Sequence, residues 1–259
     1  MTNITQSERF CRFLLDAVGG SVPTTHRFQN KLLALVPQSE LDVLLPSLEA
    51  VNLPKDLMFA EMGETIRHVY FMEQGLCSIL ARSPEGNSVE AGMVGYEGFA
   101  PTPPVVRSGV SYHHVNMQAN GHGYRMTVEA LWTAMDRCPT FASLLARFSH
   151  NLATQVTYTA LSNAVHQVEE RLARWLLMVN DRLRQNEFQI THEYLSAMLA
   201  VRRPSVTTAL HVLEGNRFIR AERGCITIRD RKAMEDFSRD AYGKPEAEYA
   251  SLFGSTFGL

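Results

Sequence analysis

The sequence predicts an α+β chain built from a small β jelly roll, a long helix and a C-terminal winged helix-turn-helix. Three observations carry the prediction. Short β-type runs punctuated by glycine fill the stretch from Val51 to Met126. A glycine-free stretch from Thr127 to Asn163 then repeats apolar residues at three- and four-residue steps. Two short helical patterns meet near Arg203-Pro204-Ser205 and lead into an alternating hairpin. With 259 residues, the chain can form two domains with a core each. The expected divisions are an N-terminal extension over 1–27, a β-roll over 28–134, the long helix over 135–164, the winged helix over 165–238 and a tail over 239–259.

In chain order, Phe10, Phe13, Leu14 and Leu15 can form one amphipathic turn in the extension. From Phe28 to Leu48, the apolar sets Leu32, Leu33, Leu35, Val36 and Leu41, Leu44, Leu45, Leu48 fit two short helices, broken at Pro37, with Ser39 as the second N-cap. Strand runs follow at Val69-Tyr70-Phe71, Gly75 to Leu80, Ser88 to Ala91 and Val115 to Ala119, with glycines such as Gly121 and Gly123 read as turns. Glu85-Gly86-Asn87 is a hairpin turn, because Gly and Asn accept positive φ. Beyond Pro139, the stripe Leu144, Phe148, Leu152, Gln155 and Thr159 suits a two-stranded coiled coil between subunits, with Asn151, Gln155 and Thr159 orienting the pair. Packing on the chain's own roll would use the same spacing. A further helix from Val168 to Leu183 turns Leu172, Trp175, Leu176 and Val179 inward and Arg171, Arg174, Asp181 and Arg182 outward.

The next segment bears the candidate functional residues. Thr191 is an N-cap and Glu193 an acid in the first turn, where the helix dipole favours it. Pro204 sits in the first turn of a second helix, where its missing N–H costs nothing. Val206, Ala209, Leu210 and Leu213 share one face of that helix, leaving Pro204, Thr207, Thr208 and His211 opposite. Such a helix inserts its N-terminal end into the DNA major groove, so Arg202, Arg203, Ser205, Thr207, Thr208 and His211 are candidate DNA contacts with Thr191. Asn216 to Arg220 and Gly224 to Ile228 form the wing, with Arg220 and Arg223 placed for phosphates. The net charge is −2, yet Val165 to Lys232 holds twelve Lys and Arg against eight Asp and Glu. A basic third on an acidic body points to double-stranded DNA as partner.

Hydrophobic residues at 45% and charged residues at 20% describe a globular chain. No apolar run approaches a membrane span and no secretory signal is evident, so the cytoplasm is the expected location. Cys11, Cys77, Cys138 and Cys225 are too dispersed for a zinc or iron–sulfur site. His113 and His114 are adjacent, so in a strand they face opposite ways, and no metal site is expected with His122. The competing class is an enzyme or a small-molecule- or metal-binding β-barrel with an incidental helical tail; a basic segment with an Arg-Arg turn argues against it. No catalytic residues are expected.

From about Phe28 to Ser238 the order of parts resembles the Crp/Fnr family of bacterial regulators, in its alphaproteobacterial-type branch. The runs Val168-Glu169-Glu170-Arg171-Leu172-Ala173-Arg174-Trp175, Ile190-Thr191-His192-Glu193-Tyr194-Leu195 and Arg202-Arg203-Pro204-Ser205-Val206-Thr207 carry the likeness. The resemblance implies a cyclic-nucleotide-binding-like sensor roll, a dimerisation helix and a homodimeric transcription regulator on a two-fold-symmetric site. RNA polymerase would be a partner if it activates. Family recognition helices open with Arg then Glu, with another Arg four residues on. Arg203, Pro204 and Thr208 stand there, so a guanine contact by Arg203 carries over and the operator differs. The family's phosphate turn matches Gly95-Tyr96-Glu97-Gly98, making Gly95, Glu97, Gly98 and Arg107 the candidate effector pocket. The phosphate-binding arginine is absent from its place, and Arg107 would replace it only in a shifted loop. No cyclic nucleotide, iron–sulfur cluster or other cofactor is expected.

Overall fold

A computed structural model describes residues 28–222 and 224–254. The extension with its Phe10 to Leu15 turn, Cys11, and Arg223 therefore lie outside the described residues. The β-roll consists of β1 (Glu49–Leu53), β2 (Met58–Ala60), β3 (His68–Arg82), β4 (Ser88–Val94), β5 (Phe99–Ala100) and β6 (His114–Thr127). Its sheet order is β1-β6-β3-β4, with β2 added to β6 and β5 to β3, all antiparallel. The two runs expected as separate strands at Val69-Tyr70-Phe71 and Gly75 to Leu80 are one strand of 15 residues. Gly121 and Gly123 likewise lie inside β6 rather than in turns. A Cβ there would sit 1.9 Å from the Gln74 carbonyl oxygen and 2.2 Å from that of Phe71, so only glycine lets the two ribbons cross. The expected hairpin forms, with Ser83 N donating to Asn87 O at 2.8 Å and Gly86 at φ +87°.

Ahead of the roll, α1 (Lys31–Ala34) is capped by Asn30, and α2 (Gln38–Leu44) begins directly after Pro37. Ser39 lies within α2 and does not cap it. The neighbouring Glu40 caps a different helix: its carboxylate accepts from Thr140 N at 3.0 Å and Phe141 N at 2.9 Å. These are the orphan amides of α4 (Pro139–Val165), which follows α3 (Val128–Arg137). α5 (Val168–Leu183) opens with a capping box between Gln167 and Glu170.

The α4 stripe expected at a subunit interface is buried in its own chain. Leu144, Phe148 and Leu152 join the roll's core beside Phe99, whose ring lies 5.5 Å from that of Phe148. Gln155 accepts from Met93 N at 2.8 Å, and Thr159 accepts from Arg174. The periodicity marks a covered face, and the covering surface is the roll. The opposite, exposed face carries Ala146, His150, Ala153, Thr157, Ala160, Leu161 and Ala164.

α5 is buried on both sides. Arg174, Asp181 and Arg182, expected to face outward, are 6%, 0% and 2% exposed. One side of α5 packs on the winged helix. The other meets Leu76, Leu80 and Met93 of the roll, so both domains share one apolar cluster. α8 (Arg231–Ser238) closes the segment expected as the winged helix, and the segment expected as a tail carries α9 (Lys244–Phe253), which returns to α4. There Glu248 accepts from Asn151 Nδ2 at 2.9 Å and Thr154 Oγ1 at 3.1 Å, and Tyr249 donates to Glu97 O at 2.8 Å.

Candidate nucleic-acid interface

α6 (His192–Leu199) and α7 (Arg203–Gly215) are joined by Ala200, Val201 and Arg202. Thr191 Oγ1 accepts from Tyr194 N at 3.2 Å and starts α6. Ala200 ends it in the left-handed region at φ +50°, an uncommon conformation for a residue with a Cβ. That single residue turns the chain within three positions. Arg202 is the N-cap of α7 and Pro204 lies in its first turn. Val206, Ala209, Leu210 and Leu213 are buried as the spacing predicts, leaving Arg202, Arg203, Pro204, Thr208 and His211 exposed.

The remaining candidates are partly engaged. Thr207 is half-buried, and its Oγ1 lies 3.1 Å from His192 Nδ1, a bond that ties the two helices together. Ser205 is also half-buried. Thr208 Oγ1 returns to Pro204 O at 3.1 Å while its side chain remains at the surface. The wing has three strands, not the expected two: β7 (Glu187–Gln189), β8 (Ile219–Glu222) and β9 (Cys225–Ile228), in the order β7-β9-β8. Arg220 is exposed on β8 and paired with Glu222 at 2.7 Å. Cys225 is partly buried, with desolvation and then the Glu187 carboxylate pushing its thiol up, so the thiolate is disfavoured.

The basic surplus is not all at the surface. Arg174 and Arg182 are buried, Arg231 bonds Asp181 at 2.7 Å, and half-buried Arg171 donates to Leu199 O. Within this basic segment, exposed Arg184 stacks 4.1 Å from the Tyr96 ring centroid and donates to Gln29, while Arg202, Arg203, Arg217 and Arg229 are exposed and join no ion pair among the described residues. These four lie on the helix-turn-helix and beside the wing, where a polyanion would approach.

Gly95, Glu97 and Gly98, expected to form an effector pocket, share one buried turn, and Arg107 is not brought to it. Glu97 Oε1 meets Arg182 Nε at 2.9 Å, outside hydrogen-bond angles, with both side chains 1% exposed. Glu97 Oε2 accepts from Gly95 N at 3.0 Å. A Cβ on Gly98 would lie 1.9 Å from the Phe148 ring, and one on Gly95 would lie 2.8 Å from Arg182 Cβ. Protein fills the turn. Arg107 is elsewhere, paired with Asp136 and 5.8 Å from the Trp132 ring centroid. The turn therefore fastens the winged helix to the roll.

A second polar contact joins the domains at Glu90. Its carboxylate accepts from Trp175 Nε1 at 2.8 Å and Ser78 Oγ at 2.6 Å. Burial pushes its pKa up to about 7, against those hydrogen bonds and the charges of Arg182 and Arg174. Among the described residues, no group of three or more His, Cys, Asp and Glu is placed to hold a metal, and no helix is long and apolar enough to cross a membrane.

An exposed, proline-opened second helix beside a three-stranded wing defines a DNA-binding protein of the winged helix-turn-helix class. Residues 170–237 match the model of the Crp-like helix-turn-helix domain. Among solved structures, a candidate Crp/Fnr-family transcriptional regulator from Eubacterium rectale superposes with a TM-score of 0.63 at 17% identity, covering 79% of this chain and 95% of that one. The c-di-GMP-responsive global regulator CLP of Xanthomonas campestris gives 0.62 at 13% identity, covering 74% and 99%. FixK2 from Bradyrhizobium japonicum gives 0.59 at 14%, covering 73% and 96%. No curated protein sequence matches the chain. Identities this low speak for the shared fold, while the domain match specifies the kind of helix-turn-helix. Residues 170–237 are therefore a Crp-like helix-turn-helix domain, and the chain as a whole shares the fold of these Crp/Fnr-type structures.

Proposed function

We propose that the protein acts as a cytoplasmic, non-enzymatic homodimer on a two-fold-symmetric DNA site, with α7 of each subunit in the major groove. The observation that carries this reading is the exposed row Arg202, Arg203, Pro204, Thr208 and His211 over a fully buried inner face. Arg203, at the first helical position, pairs with guanine O6 and N7. Arg202 and Arg220 contact phosphates, Arg220 by exchanging Glu222 for the backbone. The subunits meet through the exposed face of α4, where Ala146, Ala153, Thr157, Ala160 and Ala164 allow close approach and Leu161 adds apolar area. If the protein activates, RNA polymerase is its further partner.

Duplex DNA selected from a random pool by the full-length protein supplies the operator. On it, Arg203→Ala is expected to cost roughly 1–3 kcal/mol and to lose discrimination at one base pair in each half-site. Undiminished discrimination against a scrambled duplex rules out Arg203 as a base reader.

A further inference from the structure

A cleft of about 450 Å³ lies between the β-roll and the winged helix. That volume falls in the roughly 300–1,000 Å³ range of small-molecule sites. Leu76 and Ala119 of the roll face Trp175, Val179, Phe188 and Tyr194 of the winged helix across it. It is separate from the filled turn at Gly95 to Gly98, none of whose residues line it.

One buried polar atom in its lining has no hydrogen-bond partner, and one cation stands at its edge. Gln118 is 9% exposed, and its Oε1 has no hydrogen-bond partner. Its Nε2 donates to Glu90 Oε2 at 3.4 Å, and Tyr194 in the same lining also hydrogen-bonds the amide. A buried acceptor in this state calls for a donor. Lys55, at the exposed edge, has its Nζ 5.8 Å from the Tyr194 ring centroid and joins no ion pair among the described residues.

We propose that this cleft is the effector site and takes a small anionic molecule with a flat apolar body and a hydroxyl or N–H. The anion pairs with Lys55, the donor satisfies Gln118 Oε1, and the body lies against Trp175 and Tyr194. Tyr194 belongs to α6, the first helix of the helix-turn-helix, while Lys55 and Gln118 belong to the roll. Occupancy therefore bears directly on how the DNA-binding domain is held, because a ligand shifts an equilibrium only through contacts that differ between its states. The regulatory part of this proposal rests on the DNA-binding reading above.

The probe is 8-anilinonaphthalene-1-sulfonate, which combines a sulfonate, flat rings and an anilino N–H, titrated into the full-length protein. The expected result is one saturable site with energy transfer from tryptophan. Binding should weaken at least tenfold in Lys55→Glu and in Ala119→Phe, which narrows the cleft. Lys55 is exposed, so Lys55→Glu should leave the unfolding midpoint unchanged. Equal dye binding by wild type and both variants, or no binding, overturns the site. The dye should also change the affinity for selected duplex DNA in wild type and not in Lys55→Glu; unchanged affinity overturns the effector role. Failure of the dye-free protein to bind any duplex overturns the regulator reading and the effector role, while the dye titration still decides the cleft.

Discussion

Glu97→Ala removes one partner of an ion pair that is sealed between the domains. Arg182 is held at 2.9 Å with 1% side-chain exposure, so water cannot replace the lost carboxylate. Removing one partner of a buried ion pair costs about 3–5 kcal/mol, and Gly95 N also loses its acceptor, while Arg182 keeps Met178 O and the charges of Glu246 and Asp181. Total stabilities lie at roughly 5–15 kcal/mol, so the loss is a large fraction of the whole. Urea denaturation of the full-length protein would show it as a lower midpoint. The double variant Glu97→Ala/Arg182→Met removes both charges, and replacing a buried pair with apolar groups is often neutral. It should therefore lie within about 2 kcal/mol of wild type. A Glu97→Ala cost below about 1 kcal/mol, or a double variant showing the sum of both losses, would refute this reasoning. It would mean that solvent reaches the turn, and Gly95 to Gly98 would again be open to a ligand.

Two further outcomes follow from the packing. Glu90, pushed up to about 7 by burial, holds its proton more tightly folded than unfolded. Its contribution is therefore complete below the unfolded carboxyl value of about 4.3 and is lost as pH rises through 7. Between pH 5 and 8, wild type should lose up to about 3 kcal/mol relative to Glu90→Gln, read from urea midpoints; parallel pH profiles would contradict this. Ala153→Arg puts a charge on the exposed face of α4 without touching the roll. Sedimentation should show a monomer with an unchanged unfolding midpoint when compared at equal mass, and half-site spacing should no longer matter to DNA binding; a surviving dimer would place the interface elsewhere.

The helix-turn-helix was legible because its signals are local: the Thr191 cap, Pro204 in the first turn, and one apolar face in α7. The jelly-roll class was legible too, although β3 and β6 are longer than their apolar runs suggest, since Gly121 and Gly123 continue a strand at a ribbon crossing. The domain interface was not legible. Arg174 and Arg182 look like a solvent face because spacing reads charged residues opposite an apolar stripe as exposed, whereas here they are buried at the roll. The roll's carboxylates come from far along the chain, Glu90 being 85 residues from the Trp175 it binds. The α4 stripe has the same ambiguity, since spacing announces a covered face without naming the cover. α9 was within reach, because Gly243, Pro245 and Glu246 form a local helix start. The charge surplus overstated the basic surface, as Arg174, Arg182 and Arg231 serve the interior or its edge.

The central claim is that exposed arginines on α7 and the wing meet the backbone and bases of duplex DNA. Its most direct test is the affinity of the full-length protein for a selected duplex across a salt series, read by fluorescence anisotropy. Log affinity should fall linearly with log salt, with a slope near −0.9 for each phosphate neutralised, and Arg202→Ala should reduce the slope by about one. A salt-independent affinity, or the same affinity for an uncharged backbone analogue, would contradict it.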